Sequence, residues 1–163
     1  MTPTLQTRWM QVLGYAGLIP FLGLAGLTAW ASSYTGAEAA GQYAHWNLLY
    51  GLSIVSFLGA VHWGIVLALA GQDTPSYLAG MTAPKFEGVA LVWGVSPALL
   101  AWAAACFMPI QWALWALAGC IGVAWLVDHK LLGPMRVYSE YLRLRNLLSA
   151  GAAVGLSVTA WFA

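Results

Sequence analysis

Apolar residues gather into five long runs, at about 10–31, 47–70, 89–107, 111–127 and 146–162, separated by shorter polar breaks. A helix rises about 1.5 Å per residue, so roughly 20 apolar residues cross the roughly 30 Å hydrocarbon core of a bilayer. The second run, NLLYGLSIVSFLGAVHWGIVLALA, contains no Asp, Glu, Lys or Arg. Tyr50, Ser53, Ser56, His62 and Trp63 interrupt it, and Gly51, Gly59 and Gly64 offer room for a neighbouring backbone. Small and weakly polar residues inside a span face other helices rather than lipid, which marks this segment as the hub of a bundle. The pattern predicts an all-α integral membrane protein. It is a five-helix transmembrane bundle forming one domain over residues 1–163.

The first run carries Pro20 at its middle and small faces at Gly14, Gly17, Gly23 and Gly26. A proline kink is tolerated in a membrane when a neighbour satisfies the freed carbonyl. The run is too long for the apolar core of a cleavable signal, so it reads as a retained span. Residues 32–46, with Gly36, Glu38, Gly41 and Gln42, read as a polar connection whose Tyr34, Tyr43 and Trp46 suit an interfacial aromatic belt. A break over 71–88 holds Asp73, Pro75, Pro84, Lys85 and Glu87, with 76–81 expected along the interface. Met108-Pro109-Ile110 forces the third and fourth runs into an antiparallel hairpin. The charged stretch 128–145 is expected to hold a short surface helix, 135–145, leading into the last run. There Gly151 and Gly155 form a GxxxG, a close-packing motif.

Charge then orients the chain. With five spans, Arg8, Lys85, Lys130, Arg136, Arg143 and Arg145 all fall on one side and no Lys or Arg falls on the other. The positive-inside rule places the N-terminus inside and the C-terminus outside, in a multi-pass protein of the cell inner membrane. Composition agrees: 61% of residues are hydrophobic and 7% charged, against about 45–50% and about 25% for a soluble domain. A net charge of +1 leaves no basic surface for nucleic acid. Cys106 and Cys120 lie in apolar runs without CxxC spacing and read as packing residues, not as a metal or disulfide framework.

His62 is the one ionisable side chain well inside a predicted span. An ionisable group at membrane depth is a candidate functional residue: a haem or metal ligand, a proton relay or a quinone hydrogen-bond partner. The plainer reading is a neutral imidazole satisfied by Ser, Tyr or backbone on a neighbouring helix, since neutral His is far cheaper to bury than a carboxylate. His45 lies about 25 Å away along a helix, and His129 lies at the interface, so paired haem ligation is disfavoured. No cofactor and no metal is expected, and no HExxH, GxSxG or phosphate loop marks a catalytic residue.

A second constellation is Asp128 with Arg143 or Arg145, which should sit at one membrane level and pin two helices; the alternative is that Arg136, Arg143 and Arg145 bind anionic lipid headgroups. Of ten tryptophans, Trp63, Trp93, Trp102, Trp115 and Trp125 lie deep enough to line a cavity or to fill space against the glycines. The expected ligand contacts are His62, Trp63, Trp93, Trp102 and Ser56, and the expected packing glycines are Gly59, Gly64, Gly151 and Gly155.

The segment Tyr50-Gly51 through Ser53-Ile54-Val55-Ser56-Phe57-Leu58-Gly59-Ala60-Val61-His62-Trp63-Gly64 resembles the signature of a family of small proteobacterial membrane proteins without known function. That family has a relative in animal mitochondria. Trp93-Gly94-Val95-Ser96-Pro97 with Leu100 and Trp102, Asp128, and Tyr141-Leu142-Arg143 are similar to its other blocks, in the same order. The resemblance implies five transmembrane helices in an energy-converting membrane and assigns no activity. Length, span count and Trp richness are also those of tryptophan-rich sensory, translocator-type proteins, but the Trp and Pro blocks of that family do not align here.

Two functions are expected from these features. The first is a non-enzymatic accessory subunit or assembly factor, docked in a larger membrane complex or a homo-oligomer through its glycine faces. The alternative is a binder or carrier of a hydrophobic small molecule (porphyrin, quinone or lipid) in the bundle interior. With no nucleophile–base or carboxylate pair, an enzyme ranks behind both.

Overall fold

The computed structural model describes residues 5–69, 77–78 and 80–163. Five helices dominate it: α1 (Leu5–Tyr34), α2 (Ala37–Leu69), α3 (Ala83–Phe107), α4 (Ile110–Leu132) and α5 (Ser139–Phe162). A tiny antiparallel hairpin, β1 (Tyr77–Leu78) and β2 (Met81–Thr82), precedes α3, and a 3-10 turn, Arg136–Tyr138, precedes α5. By length and composition four helices can cross a membrane: α1 from Arg8, α2, α3 and α4. Helix α5 is of similar length, but Glu140, Arg143 and Arg145 in its first two turns leave 146–162 as its charge-free stretch.

The helices outrun the apolar runs. Most of the expected polar connection 32–46 is helical, and only Thr35 and Gly36 separate α1 from α2. Gly36 takes φ +103°, and both of these amides donate to the Ala31 carbonyl at 2.9 Å, closing the turn. Ala37, Ala39 and Ala40 then favour helix, with Glu38 in the first turn complementing the dipole. Helix α3 starts at Ala83 with Pro84 in its first turn. Helix α4 continues to Leu132, so Asp128 lies within it rather than at its end. The expected surface helix 135–145 is a short 3-10 turn followed directly by α5. Its upstream counterpart, the break around Asp73 and Pro75, lies outside the described residues.

Helix α2 packs against all four other helices. Around it, α1 meets α5, α5 meets α4, and α4 meets α3. One apolar core, with Phe21, Leu48, Val55, Leu117 and Leu156, fills the middle. A second, with Ile65, Phe86, Leu132 and Leu142, closes the charged end.

Glycines set the tightest crossings. A Cβ on Gly59 would fall on the carbonyl oxygen of Gly94, so α2 and α3 meet backbone to backbone there. A Cβ on Gly155 would lie 3.0 Å from the Phe21 carbonyl oxygen, and one on Gly151 would lie 3.0 Å from the Leu18 side chain. The GxxxG face is therefore filled by α1 of the same chain. Gly64 departs from expectation, with nothing within 4 Å of an added Cβ. It stands five residues after Gly59, about 140° around the helix, and faces outward. Pro20 leaves α1 continuous, and the Tyr50 hydroxyl donates to the Gly17 carbonyl one turn earlier at 2.9 Å.

Candidate functional site

A polar cluster sits where α2, α4 and α5 meet, at the end of the bundle that holds the basic residues. Tyr141, Arg145 and Ser149 recur every four residues along α5 and so share one face. Opposite them stands Asp128 of α4, whose Oδ2 accepts from Arg145 Nε at 2.6 Å and from the Tyr141 hydroxyl at 3.3 Å. His62 of α2 brings Nε2 to 3.4 Å from Asp128 Oδ1, close but not aligned as a hydrogen bond. The side chains of His62, Asp128 and Arg145 are only 1%, 2% and 5% exposed. For Tyr141, which lies ahead of the 146–162 segment, burial and then the Asp128 carboxylate push the phenol above the usual tyrosine range. It remains the donor to that carboxylate.

Arg145 and not Arg143 holds Asp128. Two positions on a helix differ by about 200°, so Arg143 points away; its side chain is 77% exposed and reaches Glu140 at 3.2 Å. The Asp128 contact uses only the Nε edge of the guanidinium, and Arg145 Nη2 has no hydrogen-bond partner among the described residues. The Ser149 hydroxyl and both ring nitrogens of His62 are likewise buried without one. His62 and Asp128 together offer two donors to a metal, and the adjacent guanidinium repels a cation. The cluster is poorly built for one.

Beside the cluster lies a cavity of about 360 Å³ between α1, α2 and α5. Its α1 wall runs from Met10 through Leu13, Gly14, Gly17 and Leu18 to Phe21; α2 contributes Ile54, Phe57, Leu58 and Val61. On the α5 wall Leu144, Leu148 and Ala152 are joined by Tyr141, Arg145 and Ser149, the polar side chains of the lining. The two donors left open by the cluster therefore belong to residues of an otherwise apolar cleft. Leu13 and Phe57 at its edge are well exposed on the side of the bundle.

The structure does not bring the five expected ligand contacts together. His62 belongs to the cluster but not to the cavity lining. Ser56 faces outward and returns its hydroxyl to the Leu52 carbonyl. Trp63 and Trp102 are exposed on the bundle surface, and Trp63 Nε1 donates to the Leu91 carbonyl across the α2–α3 crossing at 2.9 Å. Trp93 borders a shallow depression of α3 with Gly88, Val89, Val92 and Ser96. Among the other histidines, His129 is tied to the Trp125 carbonyl at 2.9 Å and His45 is exposed. Tyr141 and Ser149 were absent from the expected site, although their four-residue spacing with Arg145 was a usable signal.

At the opposite end, Asn47 Nδ2 donates to the Phe21 carbonyl and to the Thr159 hydroxyl, and Thr159 donates to the Gly155 carbonyl. This network ties α1, α2 and α5 together above the cavity.

Comparison with known proteins gives the same class. The chain is 37% identical over 146 residues to Transmembrane protein 69 of Xenopus tropicalis, covering 88% of this chain and 50% of that relative. It thus spans about half the length of the curated relative it matches. No solved structure matches. The model of one family covers residues 6–161, nearly the whole helical bundle, and the chain belongs to that family, described as Protein of unknown function (DUF3429).

Proposed function

We propose that this protein binds a lipophilic small molecule in the cleft between α1, α2 and α5. One observation carries the reading: a cavity of about 360 Å³ between three helices, lined by apolar residues except for Tyr141, Arg145 and Ser149. Ligand sites are typically concave, mostly apolar, about 300–1,000 Å³ in volume and furnished with a few orienting polar groups. The exposed edge at Leu13 and Phe57 gives a membrane-dissolved molecule a sideways entrance. In this reading all five helices span the inner membrane, α5 through 146–162, with the N-terminus inside and the C-terminus outside. The six-to-zero distribution of Lys and Arg supports that orientation, and the polar cluster then lies toward the inner face. For the accessory-subunit reading, Gly59, Gly151 and Gly155 pack against helices of their own chain, whereas Gly64, Gly119 and Gly122 keep open faces.

Native mass spectrometry on protein extracted gently from its own membrane tests the proposal. A lipophile of defined mass should accompany the wild type and be absent from Gly17→Leu, whose side chain would grow into the cleft. A stoichiometric protein partner with no small molecule would contradict it.

A further inference from the structure

We infer that the cleft takes a single extended hydrocarbon chain, about one leaflet long, and not a rigid ring system such as a porphyrin. The inference rests on the cleft-binding reading and adds the shape of what is bound. The lining runs along α1 from Met10 to Phe21 and along α5 from Tyr141 to Ala152, about 16 Å in each case. These two walls run the same way and lie level, since Gly14 faces Leu144 and Leu148, Gly151 faces Leu18 and Gly155 faces Phe21. The end at Phe21 is closed. That side chain is 2% exposed, stands edge-on to Tyr50 at 4.9 Å, and its carbonyl accepts from Asn47. Phe21 is also the midpoint of the candidate span Arg8–Tyr34. The cleft thus reaches from the basic end to the middle of the bundle, about half of a hydrocarbon core roughly 30 Å thick.

Width selects the shape. The Tyr50 hydroxyl donates to the Gly17 carbonyl at 2.9 Å and holds α2 against α1. A Cβ on Gly14 would lie 3.1 Å from Leu148 and 3.2 Å from Leu144, so α5 closes on α1 from the other side. What remains is a slot parallel to the helix axes, open sideways at Leu13 and Phe57. A flexible methylene chain can follow such a slot and meet its apolar walls at about 3.5–4.0 Å along the whole length. A rigid macrocycle extends as far across as along and would have to part α1 from α2, breaking the Tyr50–Gly17 bond. An extended chain advances about 1.3 Å per carbon, from bonds of about 1.5 Å at tetrahedral angles, so about 13 carbons fill the slot. The acyl chain of a lipid and the isoprenoid tail of a quinone share this chemistry.

Native mass spectrometry of the full chain in digitonin, a detergent without an alkyl tail, tests it. The probes are a series of unbranched primary alcohols from octanol to eicosanol, geranylgeraniol and protoporphyrin dimethyl ester, offered together in equal amounts. The wild type is expected to retain one chain alcohol, with retention rising up to about 13 carbons and level beyond. Ala152→Val adds bulk at the closed end of the lining and should move that break about two carbons shorter. Its thermal melt shows whether it folds; if it does not, the break in the wild-type series decides alone. Stronger retention of the unbranched alcohols points to an acyl chain, and of geranylgeraniol to an isoprenoid tail. Retention of the macrocycle above every alcohol, retention that climbs steadily to eicosanol, or an unshifted break in folded Ala152→Val would overturn the single-chain inference and leave the cleft reading in place. Retention of no probe, or retention untouched by Gly17→Leu, would instead sink the cleft reading itself.

Discussion

Asp128 carries the burden of the polar cluster, since Arg145, Tyr141 and His62 from two other helices all converge on its carboxylate. Removing one partner of a buried ion pair costs about 3–5 kcal/mol, so Arg145→Ala should lower thermal stability sharply. Arg143→Ala, at an exposed pair with Glu140, should stay within about 0.5 kcal/mol. Thermal unfolding in detergent compares them, and equal effects would refute this assignment. His62→Leu keeps much of the volume and removes two buried ring nitrogens that have no hydrogen-bond partner among the described residues. It should change stability by less than about 1 kcal/mol and leave lipophile binding unchanged, since His62 does not line the cleft. A folded His62→Leu protein that no longer binds would return His62 to the binding site. Part of this cluster was legible beforehand. Asp128 and the arginines fall at one membrane level, which is a matter of counting; which arginine turns inward depends on helix rotation. Helices that are apolar nearly all round do not mark their buried face, and for that reason Trp63 and Trp102 could not be told from cavity residues.

At the scale of helices, the closest contacts belong to glycine. Gly59→Val would drive side-chain atoms into the Gly94 carbonyl and should separate α2 from α3. Gly64→Ala meets open space and replaces a poor helix former. It should be neutral or slightly stabilising. Circular dichroism melts of the two variants check this pair, and a Gly64→Ala loss as large as that of Gly59→Val would place the contact on the wrong face. Hydropathy reveals spans because lipid demands apolar length, but it says nothing of helix beyond the hydrocarbon. Residues 37–46 therefore read as a connection although they form the first turns of α2. The same limit hid the continuation of α4 past Asp128.

Across the whole molecule, the proposed orientation has the six-to-zero split of Lys and Arg as its support. A reporter active only outside the cytoplasm should work when fused after Ala163 and fail when fused before Met1; the reverse pattern would overturn it. In that proposed orientation the cleft between α1, α2 and α5 would have Tyr141, Arg145 and Ser149 toward the inner face. The cleft was invisible in the sequence because its lining is mostly apolar residues that no sequence pattern sets apart from the rest of the bundle.

The most direct test is an experimental structure of the protein in nanodiscs made from its own membrane lipids. The account predicts elongated density between α1, α2 and α5, along Gly17 and Leu148. A cleft closed by α1 against α2, with no density between them, would contradict it.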